Sequence, residues 1–288
     1  MGSFDWLLLV LLSLCWGSSF ALNAVLLKEL PPFSVVWARQ VTAFLLFVPV
    51  SLPYLRTVNW SFNLLWRLTV MGVAAVAIPF SLFALGQQHI TSVLAGIGNG
   101  TVPLFTMVMA AVWLTDEKMT KKSILGLLCG FLGIVTLFFP MLSIGDFASA
   151  WGLGAIVLAS SMYGFANVFA RSIPKIPLRV QGLMINAIAA IALTPVMFWE
   201  APDFNSLSMR GYGFIFAHGL FSSFLAYLLY LSLIKRVGSV NTAQVAYLIP
   251  FAALFLGVIW LDESISMQAV FALGLVLLGL WIKDRGQA

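Results

Sequence analysis

Few side chains inside the long apolar stretches of this sequence can do chemistry. Arg39 and His218 are ionisable and lie within such stretches, and Asn23, Gln87, Asn99, Asn167, Asn186 and Gln244 are neutral and polar. The acidic residues are Asp5, Glu29, Asp116, Glu117, Asp146, Glu200, Asp203, Asp262, Glu263 and Asp284, and each stands at the end of a stretch or between two of them. A carboxylate serving a proton relay, a metal or a cationic cargo would have to sit within a stretch, and none does. Neither His-Glu-x-x-His nor Gly-x-Ser-x-Gly occurs, and there is no pair of mid-stretch aspartates. The pattern therefore offers no catalytic residue, no metal site and no cofactor site. Cys15 and Cys129 have neither disulfide nor metal-site spacing and read as small core residues.

What remains is chemistry for holding a small solute. Amides can bond an amine or a carboxylate, and a deep Trp or Tyr is a flat apolar wall with a polar tip. The substrate-binding candidates are Trp16, Asn99, Tyr163, His218, Gln244 and Tyr247, with polar support from Arg39, Asn23 and Asn167. Arg39 can cap a neighbouring carbonyl or meet a substrate carboxylate. His218 is the mid-stretch group able to change charge near neutral pH. Phosphorylated solutes would need several buried cations, so these residues suit a neutral or zwitterionic one.

The elements that must position these groups follow from composition. The chain has 288 residues, is 61% hydrophobic and 9% charged, and has a mean hydropathy of +1.03. A soluble domain carries about 25% charged residues, so the expectation is an all-α polytopic membrane protein. Spans of about 20 apolar residues are expected at 4–27, 33–54, 66–88, 92–114, 121–140, 151–171, 178–199, 210–234, 239–260 and 266–283, ten transmembrane helices in all. With the N-terminus inside, the loop cations from Arg56 and Arg67 through Lys118, Lys121 and Lys122 to Lys283 and Arg285 face the cytoplasm. Lys28 and Arg210 then face out, so both termini are expected in the cytoplasm. The basic balance reflects these loops and not nucleic acid. Trp60, Trp66, Trp113, Trp151, Trp199, Trp260 and Trp281 are expected in interfacial belts. Gly126-x-x-x-Gly130 reads as a close-packing motif, within the protein or between protomers.

The stretch from Ser92 to Glu117 is written twice. Ser92, Val93, Pro103, Trp113 and Leu114 correspond to Ser239, Val240, Pro250, Trp260 and Leu261, each 147 positions later. Trp16-Gly17 corresponds to Tyr163-Gly164 at the same offset. Five spans separate equivalent points, and an odd number inverts the second half. The expected architecture is two inverted five-helix repeats, 1–145 and 146–288, the mark of secondary transporters. Gly98, Gly100, Pro103 and Pro250 weaken the helical ladder and read as hinges; the proline is paired, one in each half, whereas Val245, Ala246 and Tyr247 stand opposite Gly98, Asn99 and Gly100.

Leu14 to Phe20, Pro32 followed by Arg39, and the two proline–acidic-pair spans together resemble EamA-type transporters of the drug/metabolite transporter superfamily. Within that group the sequence looks most like bacterial aromatic amino acid exporters. The resemblance implies a central cavity and export of amino acids, aromatic and other apolar ones, or similar small metabolites across the inner membrane. The second half departs from the pattern, with Tyr163 in place of Trp16 and Ile185 opposite Arg39. Alternating access is expected, facilitated and not ion-coupled. The alternative is a proton-coupled efflux pump for drugs or other metabolites. The implied partners are the lipid bilayer and a small-molecule substrate, with no obligatory protein partner.

Overall fold

The computed structural model describes residues 2–114, 120–242 and 244–284. Asp116, Glu117, Lys118 and Arg285 lie outside the described residues. Helices α1 (Ser3–Leu26) and α2 (Pro32–Leu55) open the chain. Next comes α3 (Phe62–Gly72), which runs through a π-turn at Val73–Ala77 into α4 (Ile78–Gly86). The expected fourth span is two helices, α5 (Ser92–Asn99) and α6 (Val102–Trp113). Then come α7 (Lys121–Ser143), α8 (Phe147–Phe169) and α9 (Leu178–Glu200). Helix α10 (Met209–Gly219) passes through a second π-turn, Leu220–Leu225, into α11 (Ala226–Thr242), and α12 (Val245–Leu261) and α13 (Met267–Asp284) close the chain. Among the described residues eight helices are long and apolar enough to cross a membrane, and Val245–Leu261 and Met267–Ile282 are shorter apolar helices. No strand occurs among the described residues.

Local sequence sets most helix starts. Ser61, Thr91, Thr120, Asp146 and Ser208 each accept a backbone N–H three residues on, which satisfies a donor that the helix cannot. Two expected boundaries differ. Span four breaks at Gly100 and Thr101, so Pro103 sits in the first turn of α6, where its missing N–H costs nothing. Ser239–Thr242 belong to the end of α11 and not to the start of α12, so Pro250 lies inside a continuous helix. The proline cannot donate to the carbonyl of Ala246 four residues back. The two prolines thus occupy different local structures despite their equal sequence setting.

Backbones approach closely where glycine allows it. A Cβ at Gly17 in α1 would lie 2.5 Å from the Ala252 Cβ of α12, and one at Gly164 in α8 would lie 2.8 Å from backbone atoms of Phe105 and Thr106 in α6. The two sites are 147 positions apart, and so are the residues they meet. The π-turns share this spacing, starting at Val73 and Leu220. Gly72 packs on Ile188, and Gly219 packs on Thr42. Gly126 and Gly130 of α7 face Gly279 of α13, where a Cβ would meet the Gly126 carbonyl oxygen at 2.5 Å. The glycine motif therefore joins helices within this chain. The seven tryptophans expected in belts are all exposed on the helix bundle, whereas Trp16 and Tyr163 pack against its core.

Carboxylates from distant elements cap several helix starts. Glu200 accepts the N–H of Phe33 and of Ser34 and the Ser34 hydroxyl, at 2.7–3.1 Å. Glu29 accepts the N–H and hydroxyl of Ser208, at 2.9 and 3.0 Å. Glu263 accepts the N–H of Ser92 and of Val93 and the Ser92 hydroxyl, at 2.8–2.9 Å. Asp262 takes a left-handed conformation with φ 54° at the end of α12, which turns Glu263 back onto the start of α5. A negative charge is favoured there by the exposed N–H groups and the helix dipole.

Two sets of outcomes follow. Gly164→Ala lowers the thermal midpoint of the purified protein. Gly274→Ala raises it slightly, because nothing lies within 4 Å of a Cβ at that site and alanine favours a helix by up to about 1 kcal/mol. Glu263→Ala costs about 0.5–2 kcal/mol, the usual worth of a helix cap, whereas Asp262→Gly relieves the left-handed strain. Differential scanning fluorimetry in detergent checks all four.

Candidate functional site

Arg39 is the eighth residue of α2, about 10 Å from its start at the helical rise. Its side chain is only 3% exposed. Water cannot hydrate it there, and among the described residues no carboxylate pairs with it. Its Nε–H donates to Ser223 Oγ at 2.8 Å, Nη1 to Ser19 Oγ at 2.9 Å, and Nη2 to the Ser222 carbonyl at 3.0 Å. The guanidinium carbon lies 3.9 Å from the centroid of the Phe80 ring, a cation–π geometry strengthened by desolvation. Ser222 sits in the π-turn, where the regular ladder is interrupted, so the turn supplies the carbonyl that the arginine uses.

His218, fully buried at the end of α10, places Nε2 3.2 Å from Ser19 Oγ, while its Nδ1 has no partner. Arg39 and His218 both reach Ser19 Oγ, and Arg39 and Tyr163 both lie against the Phe80 ring. Tyr163 of α8 stands between Phe80 and Phe83, with ring centroids 6.1 and 6.0 Å away. Phe83 in turn meets Phe20 at 5.5 Å. The arrangement is a buried cation and an imidazole at one side of an aromatic wall, drawn from α1, α2, α4, α8 and the α10–α11 π-turn.

A second polar chain adjoins it. Gln87 donates from Nε2 to the Phe20 carbonyl at 2.8 Å, and Asn23 donates from Nδ2 to Gln87 Oε1 at 3.1 Å. Asn23 Oδ1 has no partner and is buried, as are both polar atoms of the Gln40 side chain.

The candidate residues lie on several elements. Arg39, His218, Tyr163 and Asn23 gather around α1, which also carries Trp16, and Trp16 packs on Tyr230 at 5.6 Å. Asn99 ends α5 half-buried, and Gln244 and Tyr247 lie half-buried at the start of α12. Asn167 is exposed and donates to Thr106 Oγ1 at 3.1 Å, tying α8 to α6. The glycines around Asn99 face neighbouring helices: Gly98 faces Ile156, and Gly100 faces Pro250 and Val276. The Gly98 carbonyl is already taken by the hydroxyls of Thr101 and Ser160, at 2.6 and 3.3 Å. Sequence reasoning missed Ser19, Ser222, Ser223 and Phe80. The available signal was the doubled serines, Ser18-Ser19 and Ser222-Ser223, inside apolar stretches. Among the described residues no cluster of His, Cys, Asp and Glu has the makings of a metal site.

The roles within this cluster separate by stability. Ser223→Ala leaves a guanidinium N–H buried without its acceptor and costs about 1–3 kcal/mol. Arg39→Met removes the charge and its demands together, and such replacements of buried charge are often neutral or stabilising. Thermal unfolding of the two variants is expected to place Arg39→Met above Ser223→Ala. The reverse order would mark Arg39 as a stabilising anchor.

The comparisons with known proteins agree in kind. A model of the EamA-like transporter family matches residues 4–139 and 150–282. An uncharacterized transporter of Archaeoglobus fulgidus is 24% identical over 285 residues, covering 97% of this chain and 98% of that protein. The Escherichia coli K12 protein described as an uncharacterized inner membrane transporter, YedA, is 26% identical, covering 96% and 89%. The Bacillus subtilis transporter YoaV, also described as uncharacterized, is 22% identical, covering 95% and 94%. A solved crystal structure superposes with a TM-score of 0.66 at 18% identity, covering 99% of this chain and 98% of its own, a likeness of fold.

Proposed function

The chain belongs to the EamA-like transporter family, and from that premise we propose that it is a secondary transporter exporting amino acids across the cytoplasmic membrane. The cargo is aromatic and other apolar amino acids and similar small zwitterionic or neutral metabolites. The observation that carries this reading is the Arg39 cluster, a buried cation with no ion-pair partner among the described residues, set beside Phe80, Phe83 and Tyr163. A carboxylate fits the guanidinium fork, and an apolar side chain fits the rings. The absence of a buried carboxylate among the described residues weighs against a hydrophobic cation as the main cargo.

Ten spans in two inverted five-helix repeats, 1–145 and 146–288, are supported by the two family-matched segments. The aromatic–glycine crossings and π-turns spaced 147 positions apart support the same layout. The site joins both halves, with Arg39 and Ser19 from the first and Tyr163, His218, Ser222 and Ser223 from the second. That is where an inverted-repeat transporter holds its cargo. Access alternates by bending at Gly98, Gly100, Pro103 and Pro250. A Cβ at Gly100 would lie 3.4 Å from Pro250 Cγ, so the two hinge positions are neighbours in the bundle. Both termini are cytoplasmic, and the relative described as an inner membrane transporter fits that location. Movement is facilitated. The alternative, proton coupling through His218, is favoured only by the imidazole's unpartnered Nδ1.

Purified protein in liposomes loaded with a panel of labelled amino acids tests the proposal. Efflux of the aromatic and branched members down their gradient, unchanged when a pH gradient is imposed, is the expected result. Efflux that requires the pH gradient would move the reading to proton coupling, and no efflux of any amino acid would overturn it. Pro250→Ala is expected to slow efflux several-fold while leaving the amino acid preference intact.

A further inference from the structure

The unpartnered polar atoms around α1 are of two opposite kinds, at two places on one helix face. Around Ser19 there is an excess of donors. A guanidinium carries five N–H groups, and Arg39 uses three, on Ser223, Ser19 and Ser222. Since Arg39 can only donate, Ser19 Oγ accepts from it, and the same oxygen lies 3.2 Å from His218 Nε2, a bond that either atom can donate. Where the Ser19 hydroxyl donates, the neutral imidazole carries its hydrogen on Nδ1, the atom with no partner. Two N–H groups of Arg39, and His218 Nδ1, thus have no partner among the described residues, and no carboxylate among them meets the positive charge.

One helical turn further along α1 there is an unused acceptor. The Phe20 carbonyl must accept, so Gln87 presents its amide nitrogen to it and its oxygen to Asn23. Asn23 therefore gives its nitrogen to Gln87, and its Oδ1 is left bare and buried. The backbone carbonyl fixes both amide orientations. Ser19 and Asn23 are four residues apart, on the same face of α1, and Trp16 precedes Ser19 on that face by three.

Resting on the reading of the chain as an amino acid transporter, we propose that Arg39 and His218 take the cargo's carboxylate and Asn23 Oδ1 takes its α-ammonium. One face of α1 then reads the zwitterion, and the Phe80, Phe83 and Tyr163 rings receive the side chain. Neither charge alone completes the set. The amine of the same side chain leaves the cation unmatched, and the acid leaves the Asn23 oxygen unmatched. Selection is for the α-amino acid head group, with looser choice among apolar side chains.

Competition on the unmodified protein tests this without a variant. Labelled phenylalanine, or leucine where it moves faster, is challenged in liposomes by its own unlabelled form and by the amine and the acid that share its side chain. Each analogue is expected to need about tenfold or more the concentration for half-inhibition, the scale of one charge-assisted hydrogen bond lost. An amine or an acid that competes as well as the amino acid overturns the inference while efflux itself still stands. Failure of any amino acid to move overturns the transport reading and this one with it. Two variants give directional readouts. Asn23→Asp sets a carboxylate opposite the ammonium and is expected to improve competition by the amine about tenfold. Arg39→Met is expected to abolish the preference for the amino acid over the amine. Wild-type competition profiles in both variants would also overturn it.

Discussion

A bilayer offers no water to an open backbone group, and most of this structure answers that constraint. Every interruption of a helix releases N–H or C=O groups, and several of these have an identifiable recipient. The start of α5 is taken by Glu263, the start of α2 by Glu200 and the start of α10 by Glu29. The break between α5 and α6 frees the Gly98 carbonyl, and Thr101 and Ser160 bond to it. The π-turn at Leu220–Leu225 presents the Ser222 carbonyl, and Arg39 bonds to it. Glu29, Glu200 and Glu263 stand at span ends as caps, because a carboxylate accepts two or three bonds where a helix start has donors to spare.

Arg39 inverts this logic. It brings surplus donors and a full charge into a region that has no carboxylate among its described residues to meet them. The protein answers with hydroxyls, one carbonyl and an aromatic face, which hold the guanidinium in one orientation without neutralising it. A cation so held is pre-organised, and its shape suits a planar anion. Asn23 is the complementary case, an acceptor held rigid by Gln87 and left open.

The two halves use similar elements to different ends. Gly17 and Gly164 each let a neighbouring helix approach closely. Both long broken helices contain a π-turn, but their causes differ. The first precedes Ile78-Pro79, where the proline removes a ladder donor, and the second lies under Arg39 and its serines. Ile185, opposite Arg39, makes the first π-turn's surroundings apolar. The site is therefore asymmetric even though its framework recurs.

Much of the fold was legible in the sequence for a simple reason. Apolar length, turn residues and charge at stretch ends are local properties, and in a membrane they decide what can be helical. The seven exposed tryptophans, the carboxylates kept out of the core and the close-packing glycines follow from that. Arg39, Asn23 and His218 stood out for the same reason, being polar where polarity is costly. The sequence could not determine their partners. Ser19, Ser222 and Ser223 are ordinary serines until the bundle sets α1 and the second π-turn beside α2. Nor could it determine what the prolines do, since Pro103 begins a helix and Pro250 lies within one. Which hydrogen bonds remain unmade, and hence what the site asks of a ligand, depends on contacts between residues as far apart as Ser19 and His218. Only the tertiary packing brings those together.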